Sequence, residues 1–349
     1  MTSRLSNHIL ISVFVVLSGV NLRGSSAPDY HLVHKYEFGA PAGGREYFDY
    51  IAVDSEARRV FLSHGSEVLV VNADTGALEG KISGLQLSHG VALVHDVDRG
   101  FITDGEQGKI VVFDLKTLKV IGDVEAAKDA DSIIYDPASK HVFSFNGDSQ
   151  NSTVVDPATG KVVGTIELGG APEFAVADGH GMIYNNLEDK SEVVAIDSET
   201  LKIKSRWPIS PAGAPAPIAM DRDHRRLFVS GREPEVLVIM NADTGKVIQS
   251  FPISAGADAN VYDPKSGRIF VSTREGWIHV FHEDSPDRSS EVGKIKTEFG
   301  AKTMGFDSKT GRIFVDTAKF GPVPPATTEH PHPRPAPISG TFHLLVFAP

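Results

Sequence analysis

The chain has 349 residues, 41% hydrophobic and 23% charged, a balance that excludes a disordered protein. It contains no cysteine, which excludes disulfides, thiolate metal sites and c-type haem attachment. The net charge of −11 argues against a general phosphate-backbone binder, so nucleic acid is not an expected partner.

The first residues read as a secretory signal. Arg4 supplies a positive start, Ile9 to Leu17 an apolar stretch, and Gly24-Ser25-Ser26-Ala27 the small residues of a cleavage region. The apolar run is too short for a membrane span. Removing residues 1–26 takes away Arg4 and Arg23 and no acid, so the net charge moves from −11 to −13. The expected location is the bacterial periplasm or the exterior, with no membrane span in the mature chain. Residues 30–349 are expected to form one monomeric domain.

His31 to Phe38 alternates apolar and polar side chains, as a half-buried strand does. From Ile51 onward the chain repeats a four-strand unit. Its register is set by the residue ending each first strand: Asp54, Val94, Asp136, Asp178, Asp221, Asp263 and Asp307. Successive spacings are 40, 42, 42, 43, 42 and 44 residues. Seven residues after most of these markers stands Phe61, Phe101, Phe143, Phe228, Phe270 or Phe314; in the fourth copy Tyr184 comes one residue early. Four strands in about 40–45 residues are the signature of a β-propeller blade. A single blade cannot bury its own apolar faces, so stacked neighbours must supply the core.

Turns such as Asp263-Pro264-Lys265-Ser266-Gly267 and Asn72-Ala73-Asp74-Thr75-Gly76 join consecutive strands. Asp and Asn fold back on their own backbone, and Gly accepts positive φ. Asp96-Val97-Asp98-Arg99-Gly100 is read as another such turn, since it lacks the later ligands of a calcium loop. The seventh repeat lacks a fourth strand, and His31 to Phe38 is predicted to complete it, closing the ring. Within that repeat lies a proline-rich insertion, residues 321–340. It holds seven prolines, with His330, His332 and His343 in or near it, and is read as a surface loop or a cover over one face.

The second strands read Val60-Phe61-Leu62-Ser63, Leu227-Phe228-Val229-Ser230, Ile269-Phe270-Val271-Ser272 and Ile313-Phe314-Val315-Asp316. With the Asp243-Thr244-Gly245-Lys246-Val247 turn, they resemble the YVTN repeat. The mature chain resembles the YncE family over about residues 30–349. The resemblance implies a seven-bladed propeller exported to the bacterial periplasm, and it implies no catalytic motif.

Repeat registration also points to a site. Five residues before each marker, at the start of the innermost strand, stand Asp49, His89, Asp131, Glu173, Ala216, Asp258 and Lys302. Six of the seven are ionisable although the flanking strand segments are largely apolar. They are expected to ring the channel mouth. The second-to-third loops of the same face add His64, Asp104, Asn146, Asn185, Arg232 and Arg274, with Tyr47, Asn260 and Thr303 near the rim. Clustered carboxylates raise one another's pKa or recruit a cation. Asp49, His89, Asp131 and Glu173 form an arc suited to a divalent metal ion, an organic cation or several hydroxyls. Lys302, Arg232 and Arg274 are expected to form a positive arc opposite. The leading expectation is a binding protein for a small-molecule or cationic ligand, or for a periplasmic protein. The alternatives are a metal-assisted hydrolase or lyase of lactonase type at the same site, and an interaction scaffold with an empty channel.

Overall fold

The computed structural model describes residues 29–43, 45–327 and 333–349. The expected signal segment, residues 1–26, lies outside the described residues, as do His330 and His332. The described residues form seven four-stranded antiparallel sheets with two one-turn 3₁₀ segments, His95–Val97 and Glu188–Lys190. The chain is a seven-bladed β-propeller. Among the described residues no helix is long and apolar enough to cross a membrane.

The innermost strands are Phe48–Asp54, Ser88–Val94, Ala130–Asp136, Pro172–Ala177, Pro215–Asp221, Ala257–Asp263 and Met304–Asp307, for blades 1 to 7. In every blade the aromatic of the second strand pairs with the residue two before the marker. Phe61 lies opposite Ala52, Phe143 opposite Ile134 and Phe314 opposite Gly305. Tyr184 keeps that register opposite Val176, because the turn after Asp178 is one residue shorter. All seven aromatics are buried, and each belongs to a different apolar cluster spanning two neighbouring blades. Full burial of such a side chain favours the ring by about 1.5–3 kcal/mol. This is why the aromatic recurs: it is the repeated contact that stacks one blade on the next.

The marker aspartates hold their turns as predicted. Asp136 accepts from the Ser139 backbone and hydroxyl at 3.0 and 2.8 Å, and Asp263 from the Ser266 hydroxyl at 2.6 Å. The Asp96–Gly100 stretch is a turn with Asp98 in the left-handed region. Ring closure is also as expected. His31–Glu37 pairs antiparallel with His343–Ala348, from His31 opposite Ala348 to Glu37 opposite His343, and becomes the outermost strand of blade 7. Tyr30 ties this joint down, donating to the Gly311 carbonyl at 2.7 Å with its ring edge-on to Phe270.

Candidate functional site

The ring positions converge at the channel mouth, and the local fold explains how. In blades 1 to 6 the pairing of the innermost with the second strand slips at the ring residue, as between Phe48 and Ile51 or Ser88 and Val91. A bulge re-aims side chains and ends regular pairing. The freed backbone is held by a side chain of the preceding blade. Ser63 donates to the His89 carbonyl, Thr103 to the Asp131 carbonyl and Ser272 to the Lys302 carbonyl. Thr303 donates to the Asp49 carbonyl at 2.7 Å, and Asn186 to the Ala216 carbonyl at 2.8 Å. In blades 1, 2 and 6 the buried Ser or Thr two residues after the second-strand Phe therefore fixes the ring; in the sequence it reads only as part of the repeat motif.

Around the ring the charges alternate rather than separate into two arcs. Lys302 bridges Asp49, with Nζ 3.2 Å from Oδ1, and Asp258. His89 Nδ1 lies 2.8 Å from Asp49 Oδ2 and 3.1 Å from Asp131 Oδ1. Blade 5 offers only Ala216 at the ring position, and Arg232 from the end of its second strand reaches into the gap. The Arg232 guanidinium contacts Asp258, Glu173 at 3.4 Å and Glu188 at 2.9 Å. The expected positive arc is thus corrected: Lys302 and Arg232 sit between carboxylates, and Arg274 lies outside this ring. Each internal cation is shared by at least two acids.

This interleaving sets the protonation states. Burial opposes ionisation of Asp49, but Lys302 and His89 outweigh it and hold the carboxyl below its ordinary range. Burial likewise opposes ionisation of Asp258, and Lys302 and Arg232 reverse the effect. Burial works against a charged His89, yet the hydrogen bonds to Asp131 and Asp49 push it up to about 10. Glu173 is the exception. Burial raises it well above the carboxylate range, aided by Asp131, Glu188 and Asp258 and opposed by Arg232. Three cations, His89, Lys302 and Arg232, thus stand between the four ring carboxylates, each in contact with acids from at least two blades.

The cavity at the channel mouth measures about 230 Å³ and is lined by Tyr47, Asp49, Tyr50, His89, Asp129, Asp131, Glu173, Phe174, Arg232, Asp258 and Lys302. Its aromatic wall has two parts. Tyr47 donates to Asp49 Oδ2 at 2.9 Å and stands edge-on to His89. Tyr50 of blade 1 and Phe174 of blade 4 meet across the axis, with ring centroids 4.5 Å apart. Tyr50 also donates to Asp131 at 3.3 Å. Four positions before the marker, only these two blades carry an aromatic; the others carry Gly90, Ser132, Pro217, Ala259 and Thr303. That irregularity was the available signal for them.

The remaining expected residues lie elsewhere. His64 is buried, stacked on Phe342 at 4.0 Å, with Nε2 donating to Glu46 at 2.6 Å. Asp104 accepts from the backbone of Gln86 and Leu87 at 2.8 and 3.1 Å. Asn146 donates to Asn151 and Thr153. Asn185 donates to the carbonyls of Glu173 and Phe174 at 2.8 and 3.2 Å, so it positions the ring from behind. Asn260 does the same for blade 5 through the Phe228 carbonyl at 2.9 Å. Arg274 lines a neighbouring cavity.

Of the four residues expected to bind a metal, three come together. One ligand atom each from Asp49, His89 and Asp131 lies within 4.8 Å of the others. Glu173 instead faces Arg232. Asp221, His224 and Glu283 form a similar cluster on the opposite face. There His224 stands where Ser139, Ser266 and Thr310 brace the same turn, which accounts for its 2.6 Å contact with Asp221.

No protein-family model matches this chain, and no curated protein matches it in sequence. Solved structures do. A chain of the hydrazine synthase of Kuenenia stuttgartiensis is 14% identical with a TM-score of 0.68, covering 76% of this chain and 91% of that one. A chain of the mitotic checkpoint complex is 12% identical with a TM-score of 0.69, covering 100% and 99%. U3-55K is 9% identical with a TM-score of 0.71, covering 92% and 99%. At such identities the likeness is one of fold. Propellers commonly serve as binding or scaffold platforms, and fold alone does not assign a function.

Proposed function

We propose that this chain is an exported binding propeller, of YncE type, that takes a small polar ligand into the cavity at its channel mouth. The observation that carries this reading is the ring of interleaved charges beside the Tyr50–Phe174 pair. Lone carboxylates would recruit a cation, but here Lys302, His89 and Arg232 already pair with them. What remains is a set of oriented donors and acceptors beside aromatic faces, which suits an uncharged or zwitterionic ligand rich in hydroxyl or amino groups. At about 30 Å³ per water, the cavity holds the equivalent of roughly eight waters, the scale of a single sugar ring or amino acid. The test is a thermal-shift screen of sugars, polyols and amino acids. A ligand at 100 times its Kd stabilises by about 2.7 kcal/mol. The shift should vanish in an Asp131→Ala/Glu173→Ala double variant that still melts cooperatively. An undiminished shift would remove the site assignment.

The Asp49–His89–Asp131 cluster supports a second reading, a metal-assisted hydrolase or lyase of lactonase type. A divalent ion there would polarise a carbonyl or activate water. Metal analysis of protein purified without a histidine tag separates the two: no stoichiometric metal, and no hydrolytic activity gained with added divalent ions, removes this version.

A further inference from the structure

Beside the ring, under the base of the proline-rich insertion, lies a second cavity of about 330 Å³. Its walls join an apolar side, Phe48, Phe320, Pro335 and Pro337 around Tyr47, to the charged groups Arg45, Glu46, Arg274 and Lys302. The described part of the insertion is fixed over it. Gly321 donates to the Ala336 carbonyl at 2.9 Å and Ile338 to the Lys319 carbonyl at 2.7 Å, while Gly340 donates to Glu46 Oε2 at 2.8 Å.

The charges in this cavity do not balance. Glu46 is its one lining carboxylate, and both its oxygens are engaged, by His64 and Gly340. Lys302 is consumed by Asp49 and Asp258, and Arg45 faces Glu106 at 3.7 Å on the exposed rim. Arg274 is different. Among the described residues its guanidinium has no hydrogen-bond or ion-pair partner, although it is partly buried. The backbone holds it there deliberately. Arg274 donates to the Gly256 carbonyl at 2.9 Å, and its own carbonyl accepts from Gly300 at 2.8 Å. Both glycines have positive φ. A Cβ at Gly256 would come within 2.6 Å of the Arg274 Cβ, and one at Gly300 would strike the Phe320 ring. Glycine at these two positions keeps the arginine and the phenylalanine in place and the space between them open.

A half-buried guanidinium without an acceptor is costly, and its planar fork matches a carboxylate. We infer that this cavity is a second binding site, for an organic monocarboxylate with a flat apolar body, its carboxylate on Arg274 and its body between Phe48, Phe320 and the insertion prolines. The positive field at Arg274, reinforced by Arg334, calls for an anion. An inorganic phosphate offers nothing to the apolar wall.

Titration calorimetry with sodium benzoate, and separately with inorganic phosphate, tests this on the full mature chain. Benzoate should bind and phosphate should not compete with it. Arg274→Gln should weaken benzoate at least about tenfold, equivalent to about 1.4 kcal/mol of charge-assisted contact. Its fold should be retained, because no described residue hydrogen-bonds to the Arg274 side chain. Phe320→Ala, which leaves the charge alone, should also weaken benzoate. The Asp131→Ala/Glu173→Ala variant should bind benzoate as the parent does, so failure of the ring reading and failure of this one are distinguishable. Absence of benzoate binding, stronger binding of phosphate, or benzoate binding unchanged in both Arg274→Gln and Phe320→Ala would overturn the inference.

Discussion

Replacing Lys302 by methionine removes the cation that two buried carboxylates share while keeping most of the side-chain volume. Leaving a buried charge without its partner costs about 3–5 kcal/mol. The cost falls toward the lower end here, since Asp49 keeps Tyr47 at 2.9 Å and His89 at 2.8 Å, and Asp258 keeps Arg232. A loss of about 3 kcal/mol at pH 8 is therefore expected. The pH dependence follows from the same contacts. In the parent, Asp49 and Asp258 are depressed below the ordinary carboxylate value, by Lys302 first among the groups that favour ionisation. Such groups stabilise above the unfolded pKa, and the contribution is lost as pH falls through the folded one. Without Lys302 their folded values rise, so the variant takes up protons at a higher pH than the parent and recovers relative stability as pH falls. Urea unfolding at pH 8 and pH 4 should show the deficit shrinking from about 3 to under about 1 kcal/mol. A deficit equal at both pH values, or below about 1 kcal/mol at pH 8, would refute the interleaved-charge account.

Three further outcomes are expected. If a divalent ion binds at Asp49, His89 and Asp131, it must displace a proton from His89, which burial opposes but Asp131 and Asp49 push up to about 10. Calorimetry with Zn²⁺ in buffers of different ionisation enthalpy should then show about one proton released per ion, with affinity rising as pH rises from 7 to 9; pH-independent binding would contradict this protonation state. Gly100→Ala puts a Cβ into the Phe113 ring, and overpacking should cost about 1–3 kcal/mol in urea unfolding. Starting the chain after Glu37 removes the outer strand of blade 7 and bares the edge of His343–Ala348. That truncation should lower the Tm and promote association in size-exclusion chromatography; a monomer with the parent's Tm would refute the role of the closing strand.

The fold was legible because its determinants recur. The marker aspartates and second-strand aromatics repeat at a fixed offset, and even the displaced Tyr184 keeps its register through a shorter turn. Ring positions were legible for the same reason, since Asp49, His89, Asp131, Glu173, Asp258 and Lys302 all reach the cavity. What registration cannot supply is reach across the ring. It gave no sign that Arg232 fills the gap left by Ala216, or that Tyr50 meets Phe174 from the far side of the axis. It also could not distinguish loop residues that face the cavity from His64, Asp104 and Asn146, whose side chains are bonded away from it. Those distinctions depend on side-chain direction at a bulge or loop, which no period encodes.

The central claim is that the ring of interleaved charges is a binding site and not merely a solvated channel mouth. A high-resolution crystal structure of the untagged protein, soaked with the strongest thermal-shift compound, tests this most directly. The account predicts an ordered molecule or ion within hydrogen-bond distance of Asp131 and Glu173, resting on the Tyr50–Phe174 floor. A cavity containing only water under those conditions would contradict it.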